Sequence, residues 1–224
     1  NGNIKQFAQV GPNRESLIEY SLNQALPAGF SKIYFIVGNL TANPFMERFG
    51  YNYRGIPVGY AMQIHQPKER DRPWGTTDAL CSAAHLLSMP FVVCNGDDLY
   101  GESSFRQLSN HLNESDEAAS IGYKLADVVP AQGKTNRAIF DLSNGYITKI
   151  KEYLGIEKER LYEFGLKEDA LCSMNIFALP PSALQHLQKK LKRFKEVNKK
   201  NRKVEALLPA DLSELITSGK IKMK

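Results

Sequence analysis

The hydrophobic and polar positions of this chain follow two alternating patterns, and their order predicts an α/β fold. The run 91–94 is apolar throughout, which suits a strand buried on both faces of a parallel sheet covered by helices. The run 32–38 is a second predicted strand, and it ends in glycine. The segments 16–28 and 76–87 repeat their apolar residues at helical spacing. Strands that alternate with helices in this way are typical of crossover units on a parallel sheet.

The second half of the chain changes from this alternation to hairpin-like patterns. Two β-rich runs within 138–153 surround the turn residues Ser143, Asn144 and Gly145, which indicates a hairpin. The other predicted strands are 58–66, 120–125 and 171–179, and the other predicted helices are 44–49, 102–112, 181–194 and 207–217. Because neither a linker nor an internal repeat interrupts the sequence, we expect one domain over residues 1–224, with an α/β amino part and a mixed carboxyl part.

Composition narrows the class of protein. A chain of 224 residues with 42% hydrophobic residues can fill one sizeable core. No apolar run approaches the roughly 20 residues that span a bilayer, and the amino end lacks the layout of a secretory signal, so no membrane partner is expected. The three cysteines lack CxxC spacing, which argues against a zinc site or a disulfide framework. We expect reduced, mostly buried cysteines in a cytoplasmic protein.

The positive charge of the chain is concentrated in one segment. Residues 189–203 hold nine Lys or Arg and one Glu, a net +8, so the rest of a chain of net charge +5 carries −3. A charge run of this kind is more often a solvated helix end than a polyanion-binding patch. We therefore expect no nucleic-acid partner.

The first candidate for chemistry is the pair Asp97 and Asp98, directly after the strand 91–94. Open α/β sheets place their ligands at the carboxyl ends of strands. Adjacent carboxylates are hard oxygen ligands, and Mg²⁺ prefers one or two of them together with substrate phosphates. The alternative is an ordinary Asx-type turn, because the sequence NGDD is rich in turn-forming residues.

Three further features fit a phosphorylated substrate, although each is weak by itself. Gln66 is joined to a turn at Gly75 and Thr76, where a strand-to-helix junction exposes amides to an anion or a base edge. Lys5 offers a point charge for phosphate, and Glu152 ends a strand where a carboxylate can bond to hydroxyls. The simpler alternatives are a surface lysine and a solvated edge acid.

The sequence offers no nucleophile with a matching base. The four histidines are scattered, and no serine lies in a GxSxG context. An enzyme built from these residues would therefore rely on positioning and charge neutralisation, as phosphoryl and nucleotidyl transfer do.

Taken in order, the motifs resemble the sugar-1-phosphate nucleotidyltransferases, the NDP-sugar pyrophosphorylases, and most closely a bacterial branch of nucleotidyltransferases. The resemblance rests on KQFAQVGPNRESLIEYSLNQALPAGFSKIYFIVG, PWGTTDALCSAAHLLSMPFVVCNGDDLYG, NRAIFDLSNGYITKIKE, LCSMNIFALPP and ALLPADLSELI. It extends over essentially the whole chain. It implies a Rossmann-like three-layer α/β/α sandwich with a mixed, mainly parallel sheet.

The resemblance also implies a reaction and a role for each matching residue. Members of the family use Mg²⁺ to transfer a nucleotidyl group from an NTP to a sugar-1-phosphate, and release pyrophosphate. Lys5 matches the lysine that contacts phosphates, and Asp97 matches the metal-binding aspartate. Gln66 matches the glutamine that reads a pyrimidine base, with Gly75, Thr76 and Asp98 also near the nucleotide. The residues matched to the sugar pocket are Arg137, Ala138, Glu152 and Asn175.

The chain departs from the family pattern in four places. Relative to the family, the 224 residues lack the first strand with its glycine-rich loop and the carboxyl aspartate that completes the metal site. Ala138 stands where glycine is frequent, and Tyr153 stands where a basic residue binds the sugar phosphate. These changes leave two alternatives open, namely transfer to a non-sugar phosphate such as phosphocholine, or an inactive module that binds nucleotide sugars.

Overall fold

The computed structural model describes residues 4–224, and its elements follow the predicted order. The helices are α1 (Leu17–Ala25), α2 (Ala42–Phe49), α3 (Thr76–Ser82), α4 (Glu102–Glu114), α5 (Leu125–Val128), α6 (Pro181–Val197) and α7 (Leu208–Thr217). The strands are β1 (Ile33–Val37), β2 (Asn52–Tyr53), β3 (Ile56–Met62), β4 (Phe91–Cys94), β5 (Ala119–Ser120), β6 (Tyr123–Lys124), β7 (Thr135–Ser143), β8 (Tyr146–Ile156), β9 (Leu171–Ser173) and β10 (Ile176–Leu179). The predicted α/β architecture is confirmed.

Local sequence explains the start of the first helix. Ser16 precedes α1, and its amide and hydroxyl both donate to Glu19 Oε2, at 2.9 and 2.6 Å. This pairing satisfies a donor that the first turn of a helix otherwise leaves without a partner. Arg48 of α2 donates to the same carboxylate oxygen at 2.6 Å, which joins the two helices.

Strand β10 lies at the centre of the layered core. All four of its residues are buried, so both of its faces are covered. Phe177 and Leu179 pack with Leu187 of α6 and Leu212 of α7. The other face, with Ile176 and Ala178, packs against Phe105 and Leu108 of α4. Helices on both sides of the strand give the three-layer α/β/α arrangement.

In residues 4–224 the strands form mixed sheets that are not mainly parallel as expected, because most ladders are antiparallel and the parallel ladder joins β1 and β3. These strands are joined by a crossover through α2, as the sequence predicts. Strand β4 pairs antiparallel with β10, and its ladder does not extend to β1. Between β1 and β4 lies a cavity of about 390 Å³, lined by both strands and by residues of α1 and α3. We call this cavity the slot.

Two predicted strands, 120–125 and 171–179, are each divided in the structure. β5 and β10 belong to the sheet that contains β4, whereas β6 and β9 belong to the sheet that contains β7 and β8. The second break occurs at Asn175, whose φ of 59° is left-handed. The two segments therefore cross between the same two sheets, which a pattern of apolar residues does not reveal.

The predicted hairpin is β7 and β8. Asn144 and Gly145 form its two-residue turn with φ angles of 50° and 78°. Positive φ at both positions is the type I′ geometry that matches the twist of the strands. The hairpin is held against α7, because the amide of Ile150 donates to the buried Ser213 hydroxyl at 2.8 Å.

Candidate active site

Strand β4 delivers two carboxylates to the carboxyl end of the sheet. Asp98 is half-buried, and its Oδ2 accepts from Asn95 Nδ2 at 2.9 Å and from the Tyr100 hydroxyl at 3.5 Å. Tyr100 is buried, which raises its pKa above the usual value, so its hydroxyl stays protonated as a donor. Asp97 is exposed, and in residues 4–224 its side chain makes no ion pair or hydrogen bond. The turn thus fixes Asp98 and leaves the oxygens of Asp97 free.

A small polar pocket collects most of the residues predicted for the acceptor. It measures about 70 Å³, and we call it the acceptor pocket. It is lined by Asp98, Asn136, Arg137, Ala138, Glu152, Ser173, Met174, Asn175 and Pro209. Strand register brings them together, because Ala138 lies opposite Glu152 on β8 and opposite Ser173 on β9. Four of the lining residues were not identified from the sequence, namely Asn136, Ser173, Met174 and Pro209.

Arg137 was predicted to bind the sugar. The residue lines the acceptor pocket, but its guanidinium points away from the carboxylate of Glu152. Arg137 lies opposite Tyr153 in the ladder, and adjacent residues of a strand point to opposite faces. Its guanidinium donates to the carbonyl oxygens of Val128 at 2.8 Å and Asn136 at 2.9 Å. Its Nε is buried, and within the described residues it has no partner. The cation is therefore held on the face opposite Glu152.

The predicted nucleotide turn is packed against the carboxyl part of the chain. Gly75 has a φ of 104°, and a Cβ there would lie 2.3 Å from the carbonyl oxygen of Ala206. Only glycine tolerates both conditions. The Thr76 Oγ1 accepts a hydrogen bond from the amide of Leu208 at 2.8 Å. The close backbone approach that Gly75 permits in this structure is therefore to another segment of the protein.

The glutamine that contacts this turn is Gln63. Its Nε2 donates to the carbonyl oxygen of Gly75 at 3.0 Å and to Asp78 Oδ2 at 2.9 Å. Gln66, the residue predicted to read the base, is exposed, and its amide faces the carboxylate of Glu69. Gln63 directly follows β3. Its place at a strand end, where α/β sheets bind their ligands, is the signal by which it could have been found.

Arg70 stabilises the loop between Gln66 and the turn. It is only 6% exposed, and its guanidinium donates to the carbonyl oxygens of Arg72, Asn201 and Val204. The same guanidinium lies 3.4 Å from the centre of the Trp74 ring. The loop is thus held to the residues that follow α6, and the sequence pattern did not identify Arg70.

Lys5 lies apart from the acceptor pocket. It is exposed at the start of a short 3-10 turn, Lys5–Phe7, and the next residue, Gln6, lines the slot together with Gly96. Gly96 directly precedes Asp97 in the chain. The segment that carries Lys5 therefore borders the loop that carries the two aspartates.

The basic run 189–203 is partly engaged in structural contacts. Lys190, Lys195 and Arg202 form ion pairs with Asp211, Asp78 and Asp71. Arg202 also donates to the carbonyl oxygens of Lys68 and Pro67.

Within residues 4–224, no helix is long and apolar enough to cross a membrane.

Comparisons with known proteins bear on the family and the fold of the chain. The family model for nucleotidyl transferases matches residues 3–204. The solved structure of a UDP-glucose pyrophosphorylase in complex with UDP-glucose is similar, with a TM-score of 0.61, 16% identity, and coverage of 97% of this chain and 81% of that chain. An inositol-1-phosphate CTP transferase from T. maritima gives a TM-score of 0.60 at 14% identity, covering 100% and 77%. No curated protein matches significantly.

Proposed function

Because the chain belongs to the nucleotidyl transferase family, we propose that it transfers a nucleotidyl group from an NTP to a sugar-1-phosphate. We further propose that the reaction depends on Mg²⁺, favours a pyrimidine nucleotide, releases pyrophosphate and takes place in the cytoplasm. The observation that carries the proposal is the acceptor pocket, in which Asp98, Glu152 and Asn175 meet beside the loop that presents Asp97. A strand end that holds a free carboxylate next to a polar pocket suits a phosphate donor and a hydroxyl-rich acceptor.

The residues of the β4 loop fit a magnesium ion. Residues 4–224 contain no group of three His, Cys, Asp or Glu that could enclose a metal. Mg²⁺ does not need such a cage, because it binds through one or two carboxylates and completes its shell with water and substrate phosphates. Asp97 would hold the ion, with Asp98 beside it. The ion would supply neutralisation of the phosphate charge.

The proposed chemistry requires no covalent intermediate. An oxygen of the acceptor phosphate attacks the α-phosphorus of the NTP, the bond to the β-phosphate breaks, and pyrophosphate leaves with its electron pair. Both reactants are anions, so the approach is opposed by their charge, and a cation such as Lys5 offsets that repulsion. The protein contributes mainly by holding the two phosphates in line.

The acceptor pocket favours a head group that is rich in hydrogen-bond donors. Two carboxylates, Asp98 and Glu152, line it, and its one guanidinium bonds to main-chain oxygens on the opposite face of β7. Hydroxyl groups of a sugar fit this lining. A cationic non-sugar phosphate such as phosphocholine fits it as well and is the second candidate, and a polyol phosphate is the acceptor that the name of the T. maritima neighbour describes.

We also propose that the slot between β1 and β4 receives the first strand that the family resemblance implies, with its glycine-rich loop. Among the residues that the structure describes, neither strand has a ladder partner on that side, and the lining of the slot is mainly apolar. Buried strand edges need hydrogen-bond partners, which an additional strand supplies. Gln6 and Gly96 lie at one end of the slot, so a strand seated there would lead towards Lys5 and Asp97.

The test is pyrophosphate release by the full-length protein with Mg²⁺, across NTPs and acceptors that include sugar-1-phosphates and phosphocholine. Asp97→Ala should lower kcat/KM by at least about 100-fold, as loss of a group that stabilises transition-state charge does. Asp116→Ala is the matched control, because Asp116 is also an exposed aspartate but lies outside the site. Glu152→Gln should raise KM for the acceptor, whereas Glu159→Gln, an exposed glutamate elsewhere, should not.

Release that needs both substrates and collapses in Asp97→Ala supports the proposal and names the substrates. Nucleotide-sugar binding without any pyrophosphate release would contradict it and favour an inactive binding module. Equal loss of activity in Asp97→Ala and Asp116→Ala would contradict the assigned role of Asp97.

A further inference from the structure

We propose that Thr77 and Asp211 are positioning residues that couple the nucleotide turn to the acceptor pocket. The inference rests on the proposed function, because it assigns the two sites to the two substrates. The nucleotide turn is residues 74–77, and the connecting segment is residues 206–211. Binding of the NTP at the turn would, through this contact, change the affinity of the pocket for the acceptor.

The turn and the connecting segment are joined by four hydrogen bonds. The amide of Ala206 donates to the carbonyl of Trp74 at 2.7 Å, and the amide of Thr77 donates to the carbonyl of Ala206 at 3.1 Å. The amide of Leu208 donates to the Thr76 hydroxyl. The Thr77 hydroxyl donates to Asp211 Oδ2 at 2.5 Å. Because of these bonds, a displacement of the nucleotide turn also displaces the connecting segment.

The bond between Thr77 and Asp211 is the most shielded of the four. Thr77 is 0% exposed and Asp211 is 5% exposed. A hydrogen bond from a hydroxyl to a buried carboxylate is charge-assisted, and breaking it leaves a buried charge with fewer partners. Lys190 lies 3.3 Å from the other oxygen of Asp211 and fixes the carboxylate from the side of α6. This geometry allows little rotation of either side chain.

The connecting segment also forms part of the acceptor pocket. Pro209, near the start of α7, lines the pocket together with Asp98 and Glu152. It stands one residue after Leu208 and two residues before Asp211, so a residue bonded to the nucleotide turn lies on each side of it. Its backbone φ is fixed by its ring, which makes the short link stiff. A displacement of the turn is thus transmitted to a wall of the pocket.

Such a link implies a measurable coupling. If the NTP changes the affinity for the acceptor, the acceptor changes the affinity for the NTP by the same factor. Couplings of this kind typically lie between about 5-fold and 150-fold. Neither Thr77 nor Asp211 lines the pocket, so an effect of their substitution on acceptor binding would have to act through the connecting segment.

The experiment measures KM for the acceptor at low and at saturating NTP, and KM for the NTP in the same way. The proteins are the full-length protein, Thr77→Val, Asp211→Asn and the control Thr217→Val. Thr217 lies in α7, as Asp211 does, and its hydroxyl donates to the carbonyl oxygen of Ser213 within that helix. We expect a coupling of at least about 5-fold in the unchanged protein and in Thr217→Val. In Thr77→Val and Asp211→Asn the coupling should fall to about 1.

Each outcome decides the inference. Coupling that survives in both Thr77→Val and Asp211→Asn would overturn it while leaving the transferase assignment intact. So would a fall in kcat alone with unchanged coupling, because that is the result of a purely structural role. An unchanged protein that releases no pyrophosphate with any substrate pair would contradict the proposed function itself, and this inference with it.

Discussion

The buried guanidinium of Arg70 allows a quantitative test of how the loop before Gly75 is held in place. Three main-chain carbonyl oxygens and one face of Trp74 surround it, and it forms no ion pair with a carboxylate in residues 4–224. A buried charge is tolerated only where hydrogen bonds compensate for its lost hydration. Replacing it with methionine keeps much of the volume and removes the charge with all of its hydrogen bonds.

The expected loss of stability follows from what each carbonyl can do afterwards. Arg72 and Asn201 are exposed residues, so their carbonyl oxygens can bond to water once the guanidinium is gone, whereas Val204 is half-buried. A hydrogen bond from a charged donor contributes about 1.5–3 kcal/mol, and we count only the bond to Val204 in full. With a cation–π contribution of about 1 kcal/mol, Arg70→Met should lower the free energy of unfolding by about 3 kcal/mol.

The assay uses the one tryptophan of the chain. Trp74 is in contact with the guanidinium, so its fluorescence reports the loop, while circular dichroism reports the whole fold. Urea unfolding of Arg70→Met, Arg70→Lys and Arg106→Met should rank the losses in that order. Lysine keeps the charge but not the planar fork, and Arg106 is an exposed residue paired with Glu102, worth less than about 1 kcal/mol.

A loss in Arg70→Met no greater than that in Arg106→Met would refute the reasoning, because the guanidinium would then be dispensable. Full rescue by lysine would refute the part of it that depends on the forked geometry. If the reasoning holds, Arg70→Met should also raise KM for the NTP.

The other predictions concern a glycine, a carboxylate and a thiol. Gly75→Ala should cost more than about 3 kcal/mol of stability in urea unfolding, whereas Gly219→Ala, with a similar positive φ but open space, should cost about 1 kcal/mol. Desolvation opposes ionisation of Glu19, but the hydrogen bond from Arg48 outweighs it, and the pKa falls from 4.5 to about 2. Because Glu19 is only partly buried, Glu19→Gln should cost about 1 kcal/mol above pH 5, and the difference should vanish as the pH falls through 2. Burial raises the pKa of Cys172, which is fully buried, to about 11, so its alkylation at pH 8, followed by mass spectrometry, should be at least about 100-fold slower than that of a free thiol.

The sequence was sufficient for the order of the elements because helices and strands follow local patterns. Helix and strand periods predicted the order of elements, and the strand ahead of Asp97 predicted the ligand-binding edge. Ala138, Glu152 and Asn175 line one pocket, and their role as sugar-binding residues stays a prediction. These residues belong to adjacent strands, where the register alone brings them together.

The remaining features depend on contacts between distant segments, which no local pattern encodes. The role of Gly75 is visible only once Ala206 is seen against it, more than one hundred residues later in the chain. Gln63 was not identified from the sequence, and its hydrogen bond to Asp78 joins residues that lie 15 positions apart. The division of 171–179 at Asn175 depends on which sheet each half joins.

The basic run gives the clearest physical link between the two halves of the chain. From composition alone it suggests a solvated surface, and several of its cations are indeed exposed. Yet Arg202 bonds to the main chain at Pro67 and Lys68, and the residues just after the run accept from Arg70 and contact Gly75. Lys and Arg side chains near the end of a helix readily donate hydrogen bonds to carbonyl oxygens. A segment rich in these residues can therefore hold a long loop in place. The loop that precedes the nucleotide turn is therefore shaped by the carboxyl part of the chain, and substitutions around residue 202 should affect nucleotide binding without touching the ligand.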